Sequence, residues 1–365
     1  MGANTYFLTR SGRTNLLKAV DKGIEPSDFF YGFYDLCKKS DRFEIVEVHQ
    51  SNEWFSNKLN GFSQNVIGHN FHLLSTLRVL VRLPQNSILY TNIDSIALPI
   101  AFFRMLGFIQ FDHIHLSQGL TNFLEKTNKQ SFRFRLGCSI LSLLLKHVSD
   151  LLVLGEGARS ALTEYLKTKS NCLQFGVDHS FWQASESDPG HGTYLLTVGS
   201  DSNRDFDTLK RLDPRYEIRV VTRLHLGELP PHMKLVDCED SLELRNLIHN
   251  AKLVIVSLND ISQPSGQSTA LQAMAMGKPV ILTDNRGLWD RQNLIDHKNL
   301  RLVPLFDEQA IELAIDQLVG DFAFSSSIGK CAKKTVEKHY TIQMMSDRLM
   351  ERFDLLHFSL RKRFV

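Results

Sequence analysis

The stretch LVIVSLNDISQPSGQSTALQAMAMGKPVILT, from Leu253 to Thr283, carries the densest structural signal in the chain. It opens on four apolar residues, Leu253 to Val256, the composition of a strand buried on both faces of a parallel sheet. A polar loop punctuated by Pro264, Ser265 and Gly266 follows. Leu271, Met274 and Ala275 then recur at i, i+3 and i+4, which predicts a helix over residues 268–276. Gly277 stops that helix and Pro279 forbids its continuation. Val280 to Leu282 reads as a second buried strand, so the whole is one β-α-β unit. Its helix opens on Ser265, Gly266, Gln267 and Ser268, whose small side chains leave amides open at the positive end of the helix dipole. That arrangement suits a phosphate. On spacing alone, an ordinary capped crossover helix accounts for it equally well.

Outward from this unit, strand-like and helix-like segments alternate in both halves of the chain. Before it come strands at residues 6–9, 43–48, 87–91, 111–116, 150–154 and 171–175. Helical patterns lie between them, including long ones over 63–83 and 120–148. Residues 176–192 are rich in Gly, Pro, Ser and Asp and read as a linker. The alternation then restarts, with strands at 194–198, 217–221, 233–236, 253–256, 280–282 and 300–303, and helices at 308–319, 324–338 and 342–360. Such alternation predicts an α/β chain of two doubly wound, Rossmann-like domains facing across a cleft. The expected division is 1–178, a linker over 179–192, 193–340, and a C-terminal helix over 341–365 packing back on the first domain.

A chain of 365 residues holds two domains of ordinary size. A net charge of +2 gives no basic excess for nucleic acid. Five scattered cysteines with no CxxC pair indicate neither a disulfide framework nor a zinc site. Without a secretory leader or a membrane-length apolar run, the expected location is the cytoplasm.

Several residues stand where such folds place chemistry. Gly199 and Ser200 end the first strand of the second domain, and Arg204 follows. Its fork can hold a pyrophosphate, or simply pair with Asp201 or Asp205. In the first domain, His113 and His115 share one face of a strand, more as satisfied core groups than as metal ligands. His115, Ser117 and Gln118 lie at that strand's carboxyl end and are candidates for touching substrate. Arg10, Ser11 and Gly12 follow the first strand, as a ligand loop or a plain turn. The acidic run Asp237 to Asp240 reads as a solvated turn. Two basic-aromatic runs, Phe132 to Arg135 and Arg361 to Phe364, offer peripheral contact with an anionic membrane, or are a core helix and a frayed end.

The run Ala273-Met-Ala-Met-Gly-Lys-Pro-Val-Ile281, with the Ser-Gly helix opening before it, resembles the donor-site signature of family 4 glycosyltransferases of GT-B fold. The resemblance covers residues 195–340 well and the first domain by pattern. That family has Glu, seven residues, then Glu. Here Pro264 and Gln272 stand in their places. The family's Gly-Arg and following Lys become Gly199-Ser200 and, close to the Lys position, Arg204. Gly176-Val177-Asp178 with Phe181 matches the segment at the interdomain crossing.

The resemblance implies transfer of a hexosyl group from a nucleotide-diphosphate sugar to a glycan or lipid-linked acceptor, with retention, without a metal or cofactor, in polysaccharide or glycoconjugate synthesis. It implies that the donor diphosphate rests on Ser265–Ser268 and Arg204, and that Gln272 meets the ribose. The first carboxylate's contacts fall to Gln263 or the backbone of 264–267. A nucleotide-sugar epimerase, a phosphorylase, and a catalytically silent binding subunit are the alternatives.

Overall fold

The computed structural model describes residues 4–50, 54–183 and 192–363, with backbone alone at 55 and 358–363. Residues 184–191 of the expected linker lie outside the described residues, as do Phe364 and the side chains of Arg361 to Arg363.

Two compact units form. The first comprises residues 1–18, 32–173 and 346–365; the second comprises 19–31 and 174–345. The elements of the first half are β1 (Thr5–Arg10), α1 (Arg13–Asp21), a 3-10 turn (Ser27–Phe30), α2 (Phe33–Lys39), β2 (Phe43–Val48), α3 (Trp54–Ile67) and α4 (Leu73–Leu80). They continue with β3 (Ile88–Thr91), α5 (Asp94–Met105), β4 (Asp112–Leu116), α6 (Leu120–Lys126), α7 (Phe132–Leu145), β5 (Asp150–Val153), α8 (Glu156–Leu166) and β6 (Asn171–Cys172). The sheet order is β2-β1-β3-β4-β5-β6, with every pairing parallel. Phe7, Phe33, Tyr90 and Phe353 bring their rings together in its core, with centroids 5.0 to 6.1 Å apart. Phe353 lies on the final helix, whose C-terminal part therefore belongs to this unit.

The second unit contains β7 (Tyr194–Val198), α9 (Phe206–Lys210), β8 (Ile218–Val221), β9 (Met233–Leu235), α10 (Ser241–His249) and β10 (Ala251–Val256). After them come α11 (Gln267–Ala275), β11 (Val280–Thr283), β12 (Arg301–Val303), α12 (Glu308–Gly320) and α13 (Phe322–His339), and then α14 (Ile342–Arg363), of which only residues 342–345 belong to this unit. The parallel order is β12-β11-β10-β7-β8-β9. Leu253 and Ile255 of β10 turn into the same core as Ile218, Val220 and Ile281, because side chains two apart on a strand share a face. In each sheet the order reverses beside the first strand, between β1 and β3 and between β7 and β10. The carboxyl ends of strands at such a reversal are where ligands sit in open α/β sheets.

Four expectations are corrected. The helix expected over 63–83 is α3 and α4, separated where Gly68 takes a φ of +72°. A β-carbon there would lie 2.8 Å from the Phe123 ring, so the turn needs both the backbone freedom and the missing side chain. The long helix over 120–148 is α6 and α7, broken at residues 127–131. Ser131 starts α7 afresh by accepting from the Phe134 amide at 3.1 Å. The sixth strand is two residues long rather than five. Phe29, Phe30, Phe33 and Leu36 read in the sequence as one helix-like segment, but they form no single helix. Left-handed Tyr31 and Gly32 at φ +51° and +81° separate the 3-10 turn from α2.

Candidate functional site

The loops that leave β7 and β10 flank the reversal in the second unit, and their backbones are stitched together. The Asn259 amide donates to the Asn203 carbonyl at 2.9 Å, and the Asp205 amide to the Ser257 carbonyl at 3.1 Å. Arg204 is the residue between, paired antiparallel with Leu258, and its side chain is buried. Its Nε donates to Asp201 Oδ2 at 3.1 Å and its Nη2 to Thr269 Oγ1 at 3.3 Å. The pairing with Asp201 expected from sequence is therefore real, but it occupies one edge of the fork only. Nη1 is buried and has no hydrogen-bond partner among the described residues. Burial draws the Arg204 pKa below its ordinary value, and Asp201 opposes that fall.

The guanidinium passes between two glycines. A β-carbon on Gly199 would collide with it, and one on Gly266 would lie 2.7 Å from Nη1. Gly266 is the N-cap of α11 at φ +72°, and no side chain caps that helix. Its first-turn amides are thus left to another acceptor. Gln267 opens α11 with a side chain buried to 3% exposure, and neither its Oε1 nor its Nε2 has a hydrogen-bond partner among the described residues. Three orphaned polar atoms, two on Gln267 and one on Arg204, thus gather at one helix mouth. Each buried orphan costs about 1–3 kcal/mol unless something fills it. Ser265 Oγ donates to Asp201 at 2.6 Å, Ser200 Oγ accepts from the Arg223 amide at 2.9 Å, and Ser268 is half-buried.

Gln272 lies one turn deeper in α11. Its Nε2 donates to Asp28 Oδ2 at 3.0 Å. Asp28 comes from the segment 19–31 and is fully buried. It also accepts from the Trp182 indole at 2.8 Å and from the Asp178 amide at 2.5 Å. Burial pushes its carboxyl up to about 6, against the pull of the donors from Gln272, Asp178 and Trp182. Asp178 in turn accepts from Ser27 Oγ at 3.1 Å. The Gly-Val-Asp segment thus clasps residues 27–28, and Val177 pairs with Thr341. Asp240, from the acidic run after β9, caps α10 by accepting from the Glu243 amide at 2.9 Å.

In the first unit the carboxyl ends of β3 and β4 hold a second polar cluster. His115 is fully enclosed, with Nε2 2.9 Å from Asp94 Oδ1 and Nδ1 2.9 Å from Thr91 Oγ1. His113 Nε2 meets the same hydroxyl at 2.8 Å. Both ring nitrogens of His115 are occupied, so any action on a ligand passes through Asp94. That carboxylate starts α5, accepts from Ser117 Oγ at 3.1 Å, and lies 4.0 Å from His69 Nδ1. Burial raises the pKa of Asp94, but the His115 hydrogen bond and the two imidazoles pull it below the ordinary carboxylate range. His69 Nε2 is buried without a hydrogen-bond partner among the described residues. Gly119 makes room for the pair: a β-carbon there would sit 2.7 Å from Asp94 Oδ2. Gln118 lies between Ser117 and Gly119, half-buried. Arg10 is exposed at the end of β1, and Gly12, at φ +93°, has open space around it. Ser11 Oγ meets His49 Nδ1 at 2.9 Å.

Asp28, His69, Asp94 and Gly119 escape a reading of the sequence. Each acts on a residue far along the chain, and none stands in a local pattern.

No protein-family model and no curated protein matches the sequence. Solved structures do match. HepE of Anabaena, in complex with UDP and glucose, is 13% identical with a TM-score of 0.68, over 96% of this chain and 99% of that one. Sucrose-phosphate synthase of Thermosynechococcus elongatus is 13% identical with a TM-score of 0.70, over 98% and 100%. TarM of S. aureus, in complex with fondaparinux, alpha-GlcNAc-glycerol and UDP, is 13% identical with a TM-score of 0.61, over 78% of this chain and 59% of that one. The likeness is one of fold: two parallel-sheet α/β domains of the GT-B type.

Proposed function

We propose that the chain is a glycosyltransferase of the family 4 kind, taking a hexosyl group from a nucleotide-diphosphate sugar. The single observation that carries this reading is the set of orphaned donors at the mouth of α11. Arg204 Nη1, Gln267 Nε2 and the uncapped amides are what a diphosphate would satisfy. HepE, which shares the fold, has been crystallised with UDP and with UDP-glucose.

In this mechanism the bond between the sugar's anomeric carbon and the diphosphate oxygen breaks. The departing diphosphate gathers negative charge, and fixed amide dipoles and the Arg204 guanidinium stabilise it without reorganising. No metal is required for that step. Gln272, its nitrogen held by Asp28, offers its carboxamide oxygen to a ribose hydroxyl. In the first unit, His69 is the acceptor-side group, positioned by Asp94 and, through it, by His115. Transfer with retention to a glycan or lipid-linked acceptor, in polysaccharide or glycoconjugate synthesis on the cytoplasmic side of a membrane, completes the reading.

The replacement of both family carboxylates by Pro264 and Gln272 favours a second reading, a subunit that binds nucleotide without turnover. Release of nucleoside diphosphate from a panel of nucleotide sugars, with and without glycan acceptors and with a chelator present, separates the two. Acceptor-dependent release that survives the chelator is expected. Binding without release supports the silent subunit, and epimerised sugar without acceptor would point to the nucleotide-sugar epimerase.

A further inference from the structure

The charge of the chain is unevenly placed. Between Trp54 and Ser149 the sequence has nine Lys and Arg against three Asp and Glu, although the whole chain is almost balanced at +2. Of those three acids, Asp94 and Asp112 are buried at 7% and 2% exposure, and Glu125 is half-buried. Among the described residues this stretch therefore shows solvent no exposed carboxylate.

The same stretch exposes apolar side chains on two neighbouring helices. On α7, Phe132, Leu136 and Leu143 recur at i, i+4 and i+11, which sets them on one helical face, and their exposures are 72%, 38% and 48%. Arg133, Arg135 and Lys146 stand exposed around that face, and Lys126 and Lys129 precede it. On α3, Ser56, Ser63 and Ile67 are buried, while Trp54 and Phe62 stand 70% and 65% exposed. The Lys58 ammonium lies 4.0 Å above the Trp54 ring. The two helices pack on each other, and Arg133 Nη2 donates to the Gln64 carbonyl at 3.2 Å.

We propose that this α3–α7 face docks on an anionic lipid membrane. Aromatic and leucine side chains enter the boundary between headgroups and acyl chains while flanking Arg and Lys reach the phosphates, which is how interfacial helices bind. An acidic protein face, which the same charge would also suit, would leave Trp54 unquenched by brominated acyl chains. Here the charge is of one sign and borne on flexible stems, which fits a fluid layer of lipid phosphate. No helix among the described residues is long and apolar enough to cross a membrane, so the contact is with one surface. The proposal deepens the sugar-transfer reading, since such a contact would bring the chain to a lipid-linked acceptor, but the docking is measured without any turnover.

The structure supplies its own reporter. Trp182 and Trp289 are buried at 0% and 4% exposure, so Trp54 alone among the tryptophans meets solvent. The full chain is titrated with vesicles of phosphatidylcholine, alone or mixed with phosphatidylglycerol, at low and high salt. Expected are a blue shift of Trp54 emission, quenching by brominated acyl chains, and co-flotation only with the anionic vesicles, weakened by salt. The shift should vanish in Trp54→Phe. Partitioning should fall about tenfold or more in Arg133→Glu/Arg135→Glu and in Phe132→Ser/Leu136→Ser/Leu143→Ser, with thermal midpoints checked for folding. Failure of the wild-type chain to float with anionic vesicles, or flotation with no change in Trp54, would overturn the proposal. Nucleotide-dependent turnover on a water-soluble acceptor is measured separately, so a failed docking leaves the sugar-transfer reading to stand or fall alone.

Discussion

Arg204 and Asp28 are each polar, charged and buried, and they do different things. Arg204 keeps one edge of its fork on Asp201 and leaves Nη1 without a hydrogen-bond partner among the described residues. Arg204→Ala is expected to weaken nucleoside diphosphate binding by about tenfold or more, because a charge-assisted pair is lost. Arg204→Lys should recover only part, since an ammonium cannot hold Asp201 and a phosphate in one plane. Calorimetric titration reads both, and an unchanged affinity in Arg204→Ala removes the residue from the donor site. Asp28, by contrast, has donors from three directions and titrates at about 6 rather than 3.8. The folded state holds this proton more tightly than the unfolded state. Its contribution to stability is therefore fully present below pH 3.8 and lost as pH rises through about 6. The size is on the order of 3 kcal/mol. Asp28→Asn should flatten the stability profile across that window, as followed by denaturant unfolding. Gln272→Glu should set two buried carboxylates against each other and lower stability, and adding Asp28→Asn should relieve much of the loss. Additive effects in that cycle would mean the two side chains do not interact.

At the scale of the element, α11 owes its opening to Gly266, which supplies a left-handed N-cap and passes within 2.7 Å, at its missing β-carbon, of Arg204 Nη1. Gly266→Ala is expected to cost about 1 kcal/mol for the backbone and to displace the guanidinium. Diphosphate affinity should then fall as in Arg204→Ala, with a drop in thermal midpoint because the new β-carbon would also lie 2.4 Å from buried Val256 Cγ1; full affinity would separate the cap from the site. This unit was the most legible part of the sequence. The apolar run of β10, the 3.6-residue pattern of α11 and the Gly277 stop are all local, and local patterns survive folding. The break at residues 127–131 was legible, since Thr-Asn-Lys-Gln-Ser is polar throughout and ends on a serine cap, whereas the break at Gly68 was not, because a tertiary contact with the Phe123 ring makes that turn necessary. The 3-10 turn at Ser27–Phe30 was not legible either, since Ser27 and Asp28 are held by Asp178 and Gln272 far along the chain.

At the scale of the molecule, the two doubly wound sheets follow from alternation alone, and the reversal of strand order beside β1 and β7 marks where each sheet can hold a ligand. The sequence pointed to the loops after β7 and β10 because glycine and arginine stand in them. It did not reveal that residues 19–31 belong with the second unit, nor that the second-carboxylate position, Gln272, is met by Asp28. It singled out His115, but the fold encloses that ring, and His69 Nε2 beside Asp94 is one of the buried nitrogens without a hydrogen-bond partner among the described residues. Such features depend on pairs of residues dozens to hundreds of positions apart, which no periodicity encodes.

The most direct test is a crystal structure of the chain soaked with UDP or another nucleoside diphosphate. The diphosphate is expected on the α11 amides, in contact with Arg204 Nη1 and the Gln267 amide. A nucleotide bound elsewhere, or a helix mouth that stays without phosphate at saturating ligand, would contradict the assignment.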